Sequence, residues 1–206
     1  MIEFYAFDTP NARKVAIALE EMSLNYVVRS VDITQGAQKE AGFLKLNPNG
    51  KIPVIVDPEG PEGKPIAISE SGAILIYLGE KTGLFWPKDL RKRMRVLQWL
   101  MFQMSGFGPV PGQLHHFLAL ENESDKAYGV GRFSAETHRL YGVMNTHLSE
   151  NAFFGEEVSI ADFAIAGWVW RHRRHQVDLD AYPSVKAWYE TLCLRPGVKR
   201  GLELEI

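Results

Sequence analysis

The chain has 206 residues, a formal net charge of −2, 46% hydrophobic and 23% charged residues, which marks a soluble globular protein with one or two domains and offers no basic face for nucleic acid. A single cysteine, Cys193, excludes an internal disulfide framework and any Cys-x-x-Cys redox or zinc pair. No apolar run approaches the ~18 residues of a membrane span and no apolar leader precedes the first strand pattern, so a cytoplasmic protein without a membrane or metal partner is expected.

Residues 2–7 read as a short apolar and aromatic strand. Asp8-Thr9-Pro10-Asn11 then marks a turn into a helix over about residues 12–22, with Val15, Ala16, Leu19 and Met22 on one face. Residues 26–31 form a second strand, parallel to the first if a right-handed crossover joins them, and residues 35–46 hold a shorter helix or an irregular segment. The next stretch is the most informative. Val54 to Val56 and Ile66 to Ile68 are short β-prone runs separated by Pro58-Glu59-Gly60-Pro61-Glu62-Gly63, the pattern of a hairpin with a loose loop. Ser69, Glu70 and Ser71 then precede a helical apolar run, placing polar groups where a helix presents unpaired amides and favours an anion such as a carboxylate. Before the hairpin, Ile52-Pro53 opens a strand with a residue that cannot donate to the ladder. In the cis form it would leave the backbone of Ile52 free to pair with an extended peptide ligand.

Gly83-Leu84-Phe85-Trp86-Pro87 interrupts the periodicity, and everything after it reads helical. Residues 88–104 form a long amphipathic run, and Gly106-Phe107-Gly108-Pro109 should kink or break it ahead of His115-His116-Phe117. Residues 124–148 are a further helix. Ser159 and Asp162 form a capping-box variant, with Asp in place of the usual Glu or Gln, before another apolar helix. The run Arg171-His172-Arg173-Arg174-His175 reads as the solvated end of a helix, with a partner or substrate patch as the alternative. Residues 183–194 make the following helix, ended by Arg195-Pro196-Gly197.

Lys51-Ile52-Pro53-Val54 followed by Glu70-Ser71-Gly72-Ala73-Ile74 resembles the glutathione-binding core of the glutathione transferases. The resemblance implies an α/β plus all-α protein: an N-terminal thioredoxin-like domain over residues 1–82, a linker at 83–87, and an all-helical domain over 88–206. Thr9-Pro10-Asn11, Gln38, Gln98-Trp99-Leu100, Gly106-x-Gly108-Pro109 and His115-His116-Phe117 extend the likeness to the bacterial nu class, a glutathione-dependent disulfide-bond oxidoreductase. It implies that Thr9 and Asn11 face the glutathione sulfur as catalytic residues. Gln38, Lys51, Ile52, Pro53, Glu70 and Ser71 are then substrate contacts, and Arg132 reaches in from the helical domain. Glutathione is the co-substrate, no metal is needed, and a homodimer walls the cleft.

Bland readings stand beside these. Thr9 suits a helix N-cap, Tyr5 a packed strand aromatic, and His115 and His116 packed polar groups. Cys193, flanked by Leu192 and Leu194, reads as an inert thiol. The function expected is glutathione-dependent disulfide reduction with weak transferase activity. Conjugation of electrophiles as the main activity, or a glutathione-binding regulator with little turnover, are the alternatives.

Overall fold

A computed structural model describes residues 1–205. The chain opens with β1 (Ile2–Ala6), α1 (Pro10–Glu21), β2 (Tyr26–Ser30) and the single-turn helix α2 (Ala41–Leu44). The hairpin β3 (Val54–Asp57) and β4 (Ile66–Ser69) follows, and then α3 (Ser71–Thr82). The four strands form one mixed sheet in the order β2-β1-β3-β4, with β1 parallel to β2 and antiparallel to β3, and β3 antiparallel to β4. This is the thioredoxin-like arrangement expected. The Ile52–Pro53 bond is cis.

The helical half contains α4 (Leu90–Phe102), a π-helical turn over Gln103–Phe107, α5 (Pro109–Leu118) and α6 (Glu123–Leu148), followed by α7 (Ile160–Val169), α8 (Pro183–Cys193) and α9 (Pro196–Glu203). The expected break at Gly106 to Pro109 takes the form of the π turn, one extra residue per turn before Pro109 restarts the helix. The capping-box carboxylate of Asp162 is fully buried and accepts from the Ser159 amide (2.9 Å) and hydroxyl (2.9 Å), the Phe154 amide (3.1 Å) and the Trp188 indole (2.9 Å). Burial pushes its pKa up, and the four donors offset part of that. It thereby fixes the start of α7, the preceding loop and α8 to one another.

Two expectations change. Arg195-Pro196-Gly197 does end α8, but Pro196 also opens α9, because proline at a first helical position forfeits only an amide that would be unpaired anyway. The second concerns α1, whose eight consecutive residues from Ala12 to Leu19 are all buried, so it is not a one-faced surface helix. α7 and α9 pack closely against it, α3 approaches it as well, and it shares one buried cluster with Ile2, Phe4 and Ala6 of β1. The close approach depends on glycine. A Cβ on Gly201 of α9 would sit 2.5 Å from the Ile17 Cα, and one on Gly167 of α7 would sit 2.8 Å from the Pro10 carbonyl oxygen. Arg13, also buried, donates to the carbonyls of Gly201 (3.4 Å) and Leu204 (2.5 Å) and pairs with Asp8 (2.6 Å), tying the C-terminal segment to α1.

The basic run is solvated only in part. Arg173 and Arg174 are exposed, Arg171 pairs with Asp8 at 3.2 Å, and His175 is fully buried. Tyr5 belongs to a small cluster around Val31, Phe43 and Val54, and its hydroxyl donates to Glu3 at 3.1 Å. It is a packing residue.

Gly201→Ala is expected to cost about 1–3 kcal/mol, because the backbone of α1 cannot retreat from the added methyl. Urea unfolding of the variant should show a lowered midpoint with an unchanged slope.

Candidate active site

A cleft of about 350 Å³ lies where the start of α1, the turn before β3, the start of α3, the π turn and α7 converge. Asn11, Lys51, Ile52, Pro53, Glu70 and Ser71 line it, so the fold gathers six of the residues singled out from the sequence. Thr9, Gln38 and Arg132 stand outside the lining. Thr9 is the N-cap of α1, its hydroxyl oxygen accepting from the Ala12 amide at 3.3 Å. Gln38 donates to the Ile33 carbonyl at 3.3 Å, while its Oε1 is buried without a partner among the described residues, its backbone carbonyl lying 3.2 Å from where a Cβ on Gly50 would stand. Arg132 opens onto a separate groove on α6 with Tyr128, Phe133 and Val110 of α5.

Each lining residue is placed by local chemistry. Asn47 is buried and holds the turn, donating to the Lys51 carbonyl at 2.7 Å and accepting from the Asn49 amide at 3.0 Å, which carries Lys51, Ile52 and Pro53 to the cleft wall. Glu70 has φ 67° and ψ 114°, an uncommon conformation for a residue with a side chain, and no side chain caps α3 behind it. The first amides of α3 are therefore left for an anion.

Asn11 carries the sharpest geometric statement. The Trp168 indole nitrogen donates to the Asn11 Oδ1 at 2.9 Å. An indole N–H can only donate, so the amide must turn its oxygen to Trp168, and its Nδ2, which can only donate, remains for the cleft. The start of α1 adds the positive end of a helix dipole.

Lys14, Gln103 and Trp168 also line the cleft and were not singled out from the sequence. Lys14 is 1% exposed, and burial pushes its pKa down to about 7 against the favourable field of Glu70. Its signal was faint: a lysine inside an apolar helical run, which reads as a snorkelling surface side chain. Gln103 reads as a polar residue on an amphipathic helix. Behind Trp168 stands a histidine pair. His115 stacks on Trp168 (6.1 Å between ring centroids) and on His175 (5.0 Å), and His175 Nδ1 meets the Tyr141 hydroxyl at 2.9 Å. The packed reading of His115 holds, whereas His116 is exposed. Cys193 lies half-buried on α8, its thiol pKa raised by burial, and it is absent from the cleft.

Comparison with known proteins identifies the surroundings. The family profile "Glutathione S-transferase, N-terminal domain" matches residues 9–81, and "Glutathione S-transferase, C-terminal domain" matches residues 110–196. The chain is 43% identical over 204 residues to the disulfide-bond oxidoreductase YfcG of Escherichia coli K12, covering 98% of this chain and 94% of that one. Among solved structures it is similar to a glutathione transferase from Pseudomonas putida with one glutathione disulfide bound per subunit: TM-score 0.92, 38% identity, 100% of this chain and 92% of the other. A second, from Burkholderia graminis with two glutathione molecules bound per subunit, has TM-score 0.92 and 39% identity, covering 98% and 88%.

The histidine pair makes stability pH-dependent. Burial lowers the pKa of His115 to about 4 and of His175 to about 3, whereas the unfolded chain titrates near ~6.5. Below that value the unfolded state binds protons that the folded state refuses, so stability is complete above pH ~6.5 and falls as pH drops toward the folded values. Urea midpoints should decline from pH 6.5 to 5, and His115→Phe should make that decline shallower.

Proposed function

The chain belongs to the glutathione S-transferase family, and from that premise we propose that it is a glutathione-dependent disulfide-bond reductase acting by thiol–disulfide exchange, with conjugation to electrophiles a weaker side activity. The observation that carries this reading is the Asn11 amide, turned by Trp168 so that its N–H end is offered to the cleft at the start of α1. A thiolate is the ligand such a donor stabilises.

A free thiol of pKa ~8.5 is only a few per cent thiolate at neutral pH. Lowering it by about two units needs ~2.7 kcal/mol of preference for the anion. A helix start supplies up to ~2 and a donor to a charged group ~1.5–3, so Asn11, the Thr9-capped start of α1 and the Thr9 hydroxyl proton suffice without a protein cysteine. In the reaction, the bound glutathione thiolate attacks one sulfur of the disulfide, forming a glutathionyl mixed disulfide and releasing the other sulfur as a thiolate that takes up a proton. A second glutathione thiolate attacks the glutathione sulfur of that mixed disulfide, forming oxidised glutathione and releasing the second substrate thiol. Two glutathione molecules are oxidised for each disulfide reduced, and the protein supplies alignment.

The remaining assignments complete the reading. Glu70 meets the γ-glutamyl ammonium and Ser71 its carboxylate. Ile52 pairs with the peptide backbone beside Pro53, Lys51 and Gln38 serve the glycyl end, and Arg132 adds a contact from the helical domain. The division of labour follows residues 1–82 and 88–206. A homodimer of the nu class is supported by Leu90, Met94 and Met101, which are 68%, 40% and 44% exposed along one face of α4. Because reduced glutathione is consumed, we place the protein in the reducing cytoplasm.

Asn11→Ala should lose ~10-fold or more in disulfide turnover, the scale of removing a donor to a charged group, while Cys193→Ser keeps most of it. A folded, glutathione-binding but inactive Cys193→Ser protein would overturn the mechanism. Glu70→Ala should raise the KM for glutathione severalfold, as an ion contact is lost. Comparing turnover of a simple dialkyl disulfide with that of a halogenated aromatic decides between reduction and conjugation.

A further inference from the structure

Lys14 is a buried cation of the cleft to which the proposed chemistry assigns no task. Its Nζ donates to the Ser71 hydroxyl oxygen at 3.2 Å and to the Gln103 Oε1 at 2.5 Å, and touches the Met104 sulfur at 3.4 Å. All three partners are neutral. Among the described residues Lys14 makes no ion pair, although buried cations are ordinarily paired. A second observation lies beside it: Gln103 is 0% exposed and its Nε2 has no partner among the described residues, facing the cleft wall 2.9 Å from where a Cβ on Gly108 would stand. An ammonium can only donate, so it holds the Gln103 oxygen and leaves this second donor end unpaired.

We propose that Lys14 is the counter-charge for the α-carboxylate of the γ-glutamyl group of glutathione, acting through the Ser71 hydroxyl and together with the free amides at the start of α3. The inference rests on the glutathione reading above and adds a residue to its γ-glutamyl subsite. Ser71 accepts from Lys14, and its own O–H meets only the Met104 sulfur at 3.6 Å, a weak acceptor that a carboxylate oxygen would displace. Glu70, the adjacent residue, is exposed in the same cleft. A carboxylate one residue from the hydroxyl that a buried ammonium holds complements an amino-acid zwitterion, and in glutathione only the γ-glutamyl end carries both charges. The glycyl end has a carboxylate alone, which matches Lys51 on the turn before β3.

The charge state of Lys14 is set by what surrounds it. Glu70 at the start of α3 is the charged group that favours the ammonium; the π turn contributes neutral Gln103 and Met104, and α7 approaches with Gly167, whose added Cβ would lie 2.9 Å from Lys14 Cγ. Burial holds the pKa near 7 without a ligand. A bound carboxylate raises it. Binding therefore takes up a proton, and affinity is full below pH 7 and lost as pH rises above it.

S-methylglutathione is the probe, because it has no thiol to titrate. Calorimetry of the wild-type protein should show its Kd rising about 10-fold or more between pH 6.5 and 8.5, and uptake of more than about half a proton per site at pH 8 from buffers of different ionisation heat. An analogue with 4-aminobutyryl in place of γ-glutamyl keeps the amine and lacks the α-carboxylate. It should bind more weakly and with little pH dependence over the same range. Lys14→Met, which keeps the length of the side chain, should weaken S-methylglutathione about 10-fold or more at pH 6.5 and leave the analogue within about twofold. Binding of S-methylglutathione that is flat across this pH range, or equal loss of both ligands in Lys14→Met, overturns the inference while leaving the glutathione reading in place. The wild-type measurements decide it if the variant does not fold. No binding of S-methylglutathione at any pH overturns the functional reading itself, and this inference with it.

Discussion

The enclosure of α1 is the constraint on which the rest depends. Its residues from Ala12 to Leu19 are buried on every side, in one cluster with Ile2, Phe4 and Ala6 of β1 and against α3 and the helical half's α7 and α9. Burial of Val15, Ile17 and Leu19 contributes about 1.5–3 kcal/mol each. The close approach that permits it is possible only because α7 and α9 present Gly167 and Gly201 at the contact. One helix is thus shared by both halves of the chain, and its first turn fixes the cleft relative to both.

The same enclosure explains why a lysine and an arginine lie inside an otherwise apolar helix. Arg13 is satisfied by Asp8 and two carbonyls of the C-terminal segment, and stacks on Trp170 at 4.9 Å. Among the described residues Lys14 has only neutral hydrogen-bond partners. Two adjacent cations on one helix therefore do different work. One locks the fold, and the other leaves electrostatic demand facing the cleft.

Donor-only groups then give the site its polarity. The Trp168 indole dictates which end of Asn11 faces the cleft, and the Lys14 ammonium does the same for Gln103. Both constraints come from side chains distant in sequence: 157 residues separate Asn11 from Trp168, and 89 separate Lys14 from Gln103. The π turn contributes by placing Gln103 and Met104 against α1 and α3 at the point where α4 would otherwise run straight past.

The sequence by itself determined the order of elements in the thioredoxin-like half, the hairpin, the capping box of Asp162 and the local stretch from Asn47 to Ser71. Those signals are short-range: turn residues, alternating or helical periodicity, and polar groups at a helix start act within a few residues of each other. The resemblance carried by that stretch supplied Asn11 as well. Tertiary structure alone decided that α1 is buried on all sides, that Pro196 starts a helix rather than only ending one, and that His175 of the basic run faces inward. It also decided that Lys14, Gln103 and Trp168 join the site. A buried lysine and a surface lysine look alike in sequence, because burial is a property of what packs against a residue. For α1, that packing comes from α7 and α9, more than 140 residues away along the chain by a rough count, and pattern within a window cannot register a contact of that range.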